Sequence, residues 1–185
     1  MKKILLLLIA IALFVVQGNA QDIFVKGDKV LNLSVGVGSS LYSGSAYGSV
    51  TPALAGSFEV GLIDDLFDEN STLGVGGYVG YTGAKWDALG SDFKTSSFII
   101  GARGAVHYQF IDRLDTYGGL MLGYNIVNSD WDSSTPGVDD DVTSSAFLLD
   151  LFIGGRYYFT ESVAGLVEIG SGIAYLNIGV ALKLK

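Results

Sequence analysis

The chain has 185 residues and no cysteine, with 26 glycines, two prolines and a net charge of −8. So acidic a chain excludes nucleic-acid binding through its overall field, and the missing cysteines exclude disulfide support. Mean hydropathy is nevertheless positive. Past residue 20 no apolar run is long enough for a membrane helix, so the hydrophobicity is spread over short segments.

The first element is a targeting segment. Lys2 and Lys3 precede an apolar run of 13 residues, Ile4 to Val16, and Gly18-Asn19-Ala20 supplies small residues for cleavage. That is the pattern of a secretory signal peptide over residues 1–20; the run is too short to span a bilayer, which takes roughly 20 residues. No cysteine follows the cleavage point, so a lipoprotein anchor is excluded. The mature part, residues 21–185, then carries nine basic and 19 acidic residues, a net charge of −10, and reads as one domain.

That domain is predicted to be a series of strands, because its apolar residues alternate with period two. The first segment sets Leu31, Leu33, Val35 and Val37 against Asn32, Ser34, Gly36 and Gly38. The second sets Leu54, Phe58, Val60 and Leu62 against Ala55, Ser57, Glu59 and Gly61. The third has Leu73, Val75, Val79 and Tyr81 in one phase and Gly74, Gly76, Tyr78 and Gly80 in the other. The fourth runs from Phe98 to Phe110 with Arg103 and His107 in its polar phase, and the fifth from Tyr117 to Ile126. The sixth, Phe147 to Phe159, carries Asp150 and Arg156 in its polar phase; the seventh, Val163 to Gly170, carries Glu168. The last, Tyr175 to Lys185, is wholly aliphatic in one phase (Leu176, Ile178, Val180, Leu182, Leu184) and small or polar in the other. Eight such segments of about ten residues predict an all-β fold, an eight-stranded antiparallel up-and-down transmembrane barrel.

The connections alternate in length. Residues 63–71, 111–115 and 160–162 are expected as turns on one side. Residues 39–51, 82–96 and 127–145, rich in Gly, Ser and Asp, are expected as mobile loops on the other, with 171–174 a short fourth. Short periplasmic turns and long external loops are the outer-membrane asymmetry.

A soluble sandwich or barrel also alternates, but its solvent face carries Lys, Glu, Thr and Gln. Here the second phase is Gly, Ala, Ser and Asn, side chains that suit the crowded inside of a narrow barrel. Aromatics on the aliphatic phase fall near both ends of the strands, Tyr108, Phe110, Tyr157 and Phe159 at one and Tyr81, Phe98, Tyr124 and Phe147 at the other, as two interfacial girdles would.

The inward charges, Glu59, Asp150 and Glu168 against Arg103, Arg156 and Lys183, are expected to pair and fill the lumen, since an isolated buried charge is expensive; a polar pore lining is the alternative. His107, the only histidine, reads as structural or solvated, because no nucleophile and orienting acid accompany it. Asp130, Asp132, Asp139, Asp140 and Asp141 resemble parts of a calcium loop, but Thr135 stands where the turn glycine belongs, so a solvated acidic loop is the preferred reading. No catalytic residue, metal or cofactor is expected.

On Gly101-Ala102-Arg103-Gly104, Gly154-Gly155-Arg156-Tyr157-Tyr158-Phe159, Leu166-Val167-Glu168-Ile169-Gly170 and Tyr175-Leu176-Asn177-Ile178-Gly179-Val180, the mature chain resembles the OmpA-like and related small outer-membrane β-barrels (porin-like). The resemblance implies a lumen salt-bridge role for Arg103, Arg156 and Glu168. It also implies a bacterial outer-membrane location, with lipid, lipopolysaccharide and the barrel-assembly machinery as partners. Two departures are the Leu184-Lys185 end, where many members carry an aromatic residue, and the absence of a following peptidoglycan-binding domain, so cell-wall binding of that kind is not expected. The implied role is structural or surface display through external loops, for envelope integrity, adhesion or recognition. A narrow porin for ions or small solutes is the second reading, and a lipid-modifying enzyme the third. The external ligand is unspecified, and the pattern is compatible with a monomer without fixing the oligomeric state.

Overall fold

The computed structural model describes residues 23–39, 41–42, 49–88, 91–132 and 140–184; the signal-peptide reading of residues 1–20 lies outside them. Eight strands form one closed antiparallel barrel: β1 (Lys29–Ser39), β2 (Ser49–Asp64), β3 (Ser71–Ala88), β4 (Ser91–Ile111), β5 (Leu114–Asp132), β6 (Asp140–Tyr158), β7 (Val163–Gly170) and β8 (Ala174–Leu184). Each strand pairs with its chain neighbours, and β1 pairs with β8 from Lys29↔Leu184 to Ser39↔Ala174, which removes the sheet's edges through the body of the wall.

Period-two alternation decides the faces. Leu33, Val35, Leu54, Ile100, Leu120, Leu122, Leu149, Leu151, Ile178 and Val180 all lie on the exterior and are exposed, Leu151 at 66%. Glu59, Arg103, His107, Asp115 and Arg156 point inward and are buried. A water-soluble barrel would invert this arrangement. The exposed aliphatic band with its aromatic girdles is therefore a lipid-facing surface, the only environment in which so much apolar area is favourable outside.

The turn end is compact. Asp112 and Arg113 join β4 to β5 between the paired Ile111 and Leu114, with Arg113 in the left-handed region at φ 64°. Ile23 to Asp28 folds across this mouth. The Gly27 amide donates to the Gly61 carbonyl at 2.9 Å, and the Lys26 amide to Asp64 Oδ1 at 2.6 Å.

The loop end departs from the sequence reading. Of the segments 82–96 and 127–145, expected as loops, the described residues are strand: β3 and β4 stay paired to Ala88↔Ser91, and β5 and β6 to Trp131↔Asp140. Past the outer girdle β3 continues for roughly 20 Å, at about 3.3 Å per residue. The reason is solvent. Above the bilayer the outer face of a strand meets water while the inner face stays covered at Thr82, Ala84, Thr95 and Ser97, so the aliphatic phase that marked the strands disappears while the backbone ladder goes on. The result is a raised four-stranded sheet, β3 to β6, beside a low wall; β7 has only eight residues and covers only Phe152–Tyr158 of β6.

Candidate functional site

The lumen is filled in layers. In the layer nearest the turn end, β2, β4, β5 and β6 each direct one ionisable side chain to the axis. Arg156 donates through Nη1 to Asp115 Oδ2 at 3.0 Å and through Nη2 to Glu59 Oε2. His107 faces the remaining oxygen of each carboxylate, Nδ1 to Asp115 Oδ1 at 2.8 Å and Nε2 to Glu59 Oε1 at 2.9 Å. Two anions and two donors alternate around a closed ring. With a carboxylate oxygen at each ring nitrogen, the geometry suits His107 as a double donor, the imidazolium form. None of the four side chains exceeds 2% exposure.

Neighbouring residues fit this ring closely. Phe24, from the segment crossing the mouth, lies against the His107 ring at 4.1 Å between centroids. At Gly74 a Cβ would come within 2.9 Å of His107 Nε2 and 3.2 Å of Glu59 Oε1, so the small residue is a space requirement. Gly154 leaves the same kind of room for the Tyr117 phenol.

The next layer is the pair Arg103–Glu168, joined at 2.7 Å between Nη2 and Oε2. The Tyr117 hydroxyl donates to the same Glu168 oxygen at 2.9 Å. The Tyr117 ring also lies 4.6 Å from the Arg156 guanidinium carbon, so this phenol links the two layers. Arg103 stacks on Phe152 at 3.8 Å to the centroid, a geometry in which a desolvated cation gains about 2 kcal/mol. Above it the lumen turns apolar, with Tyr78, Ile99, Met121, Ile173 and Ala174 in one packed cluster.

Of the six charges singled out by sequence, the structure brings Glu59 together with Arg156 and Arg103 with Glu168. Asp150 and Lys183 lie elsewhere. Asp150 accepts from the Ser171 amide at 2.6 Å and the Ser171 hydroxyl at 2.9 Å, so it closes the β7–β8 turn. Lys183 sits at the turn-end mouth, pairing with Asp28 at 2.7 Å and donating to the Ile23 carbonyl at 3.0 Å; it anchors the crossing segment. Sequence reasoning missed Asp115, assigned to a turn, and the linking role of Tyr117. Parity was the available signal, since Asp115 is in phase with Tyr117, Gly119 and Met121. In the acidic stretch, Asp130 is exposed on β5, and residues 133–139 lie outside the described residues.

No family model and no curated protein sequence matches the chain. Solved structures do. Ail, the attachment invasion locus protein of Yersinia pestis, solved with the heparin analogue sucrose octasulfate, aligns with a TM-score of 0.53 at 12% identity, over 85% of this chain and 95% of that one. The N-terminal β-barrel domain of Pseudomonas aeruginosa OprF aligns with a TM-score of 0.52 at 13% identity, over 86% and 98%. A de novo designed transmembrane β-barrel aligns at 0.50 and 16% identity, over 86% and 97%. These likenesses concern the fold, and the expected eight-stranded outer-membrane barrel is borne out.

Proposed function

We propose that this outer-membrane barrel is a non-enzymatic surface-display protein: a closed, rigid body that holds the raised β3–β6 sheet outside the membrane for adhesion, recognition or envelope integrity. The observation that carries the reading is the ion ring of Glu59, His107, Asp115 and Arg156. It spans the lumen with its charges mutually neutralised, and a solute would have to break several desolvated ion pairs at once to pass. The same ring argues against catalysis. Both nitrogens of His107 are engaged with carboxylates, leaving no free lone pair for general-base work.

Conductance across a planar bilayer tests the closed lumen. The folded protein is expected to give no steady openings, and Glu59→Ala or Arg156→Ala none either, because the Arg103–Glu168 pair and the apolar cluster above the ring still fill the lumen. Steady openings of the native protein that change size in Arg103→Ala would favour the narrow porin instead. The display role is tested by replacing residues 82–96 and 127–145 with tight turns. The shortened barrel should keep heat-dependent gel migration and lose cell-surface attachment; unchanged attachment would count against the raised sheet.

A further inference from the structure

The wall has a defect between β1 and β2. Their pairing stops at Gly36↔Ala53, although β1 stays bonded to β8 as far as Ser39↔Ala174 and β2 to β3 as far as Ser49↔Lys85. Two backbone features part the strands. Gly38 takes a left-handed conformation at φ 73°, and β2 carries a bulge between Thr51 and Leu54 that contains Pro52, which has no N–H to offer β1. The bulge is held by the Thr82 hydroxyl donating to the Thr51 carbonyl at 2.9 Å.

The gap opens into a cavity of about 350 Å³, within the roughly 300–1,000 Å³ of small-ligand pockets. Val35, Val37 and Val50 border it on the exterior phase, and Ala53, Thr82 and Ala174 on the interior. No lining side chain is charged. Ala53 and Ala174 belong to the apolar cluster with Ile99 and Ile173, so the inner side of the cavity rests on apolar side chains above the ion layers.

We propose that this aperture receives one acyl chain of an outer-leaflet bilayer lipid. The mouth is continuous with the lipid-facing band: Val35 pairs with Leu54, and Leu54 with the outer-girdle residue Tyr81. The gap lies just beyond that pair, at the interface. Backbone groups freed by the parted strands can be satisfied by water and lipid ester oxygens at that height, which they could not be deeper in hydrocarbon. A chain entering there exchanges bulk hydrocarbon for a fitted apolar wall, while its ester stays at the mouth. The site stands apart from the display role and from lumen closure, so a conducting barrel would leave it intact.

The test is photolabelling of the folded full-length protein in vesicles of a phosphatidylethanolamine that carries a diazirine near one acyl terminus, with adducts mapped by mass spectrometry. Adducts are expected on the inward residues Tyr42, Ala53 or Thr82 as well as on the outer band. Ala53→Phe, which fills the cavity, should lower the inward adducts several-fold and leave those at Leu120 and Leu122 unchanged. Adducts confined to the outer band would overturn the proposal, as would inward labelling that Ala53→Phe does not reduce. Inward labelling by a diazirine free fatty acid, with none from the phospholipid, would overturn the assignment to a bilayer lipid. Should Ala53→Phe fail to fold, judged by gel migration with and without boiling, the map of the native protein decides alone.

Discussion

Glu59 and Arg156 stand 97 residues apart in the chain and meet as an ion pair with neither side chain exposed to any degree. β2 and β6 are not neighbours in the wall, so this bond crosses the lumen. Removing one partner strands a buried charge, which costs about 3–5 kcal/mol. Arg156→Met should therefore lower the stability of the bilayer-inserted barrel by about that much, measured by guanidinium unfolding in vesicles. Adding Glu59→Gln should cost less than the sum of the two single changes, because the second removes the charge that the first stranded. Strict additivity would show that the pair is not coupled.

His107 is read as an imidazolium because a carboxylate faces each ring nitrogen. Nitrogen-15 spectra of the bilayer-embedded protein at neutral pH should show both ring nitrogens protonated. A spectrum with one bare nitrogen would break the alternation of the ring.

Gly74 and Gly104 form a matched pair. Gly74→Ala drives a methyl group towards His107 and Glu59, whereas at Gly104 the nearest atom to a new Cβ is 3.9 Å away. Overpacking of this kind costs about 1–3 kcal/mol. Unfolding midpoints should thus fall for Gly74→Ala and barely move for Gly104→Ala; equal shifts would mean that β propensity, and not the ring, governs these positions.

Leu120 lies on the exterior, paired with Gly104 and Leu151. Leu120→Arg near the bilayer midplane should cost about 2–4 kcal/mol in vesicles. A neutral outcome would contradict the lipid-facing exterior.

Lys183 is partly solvated at the mouth, with side-chain exposure of 22% against 19% for Asp28. Exposed pairs contribute under about 1 kcal/mol, so Lys183→Met should shift the unfolding midpoint far less than Arg156→Met. A loss of equal size would place Lys183 in the buried network.

Much of this architecture was legible as a string of letters. Leu31, Leu33 and Val35 against Asn32 and Ser34 declare a strand with one greasy face, and Leu176 to Leu184 repeat it. The small residues of the opposite phase tell which face is inside. Strand ends at the outer rim were illegible, because hydropathy marks where hydrocarbon stops and the ladder of β3 to β6 does not stop there. Asp150 and Lys183 shared the inward phase with Arg156, yet phase fixes a direction and not a height or a partner.

The amino-acid order by itself determined the class of element, the strand count and the lipid-facing side, since each follows from period two, which is local. Tertiary structure alone decided that Glu59, His107, Asp115 and Arg156 close one ring and that Tyr117 bridges two layers. It also decided that β1 and β2 part at Pro52. Those outcomes depend on the register and tilt at which distant strands close the barrel, and register is set by the whole wall together.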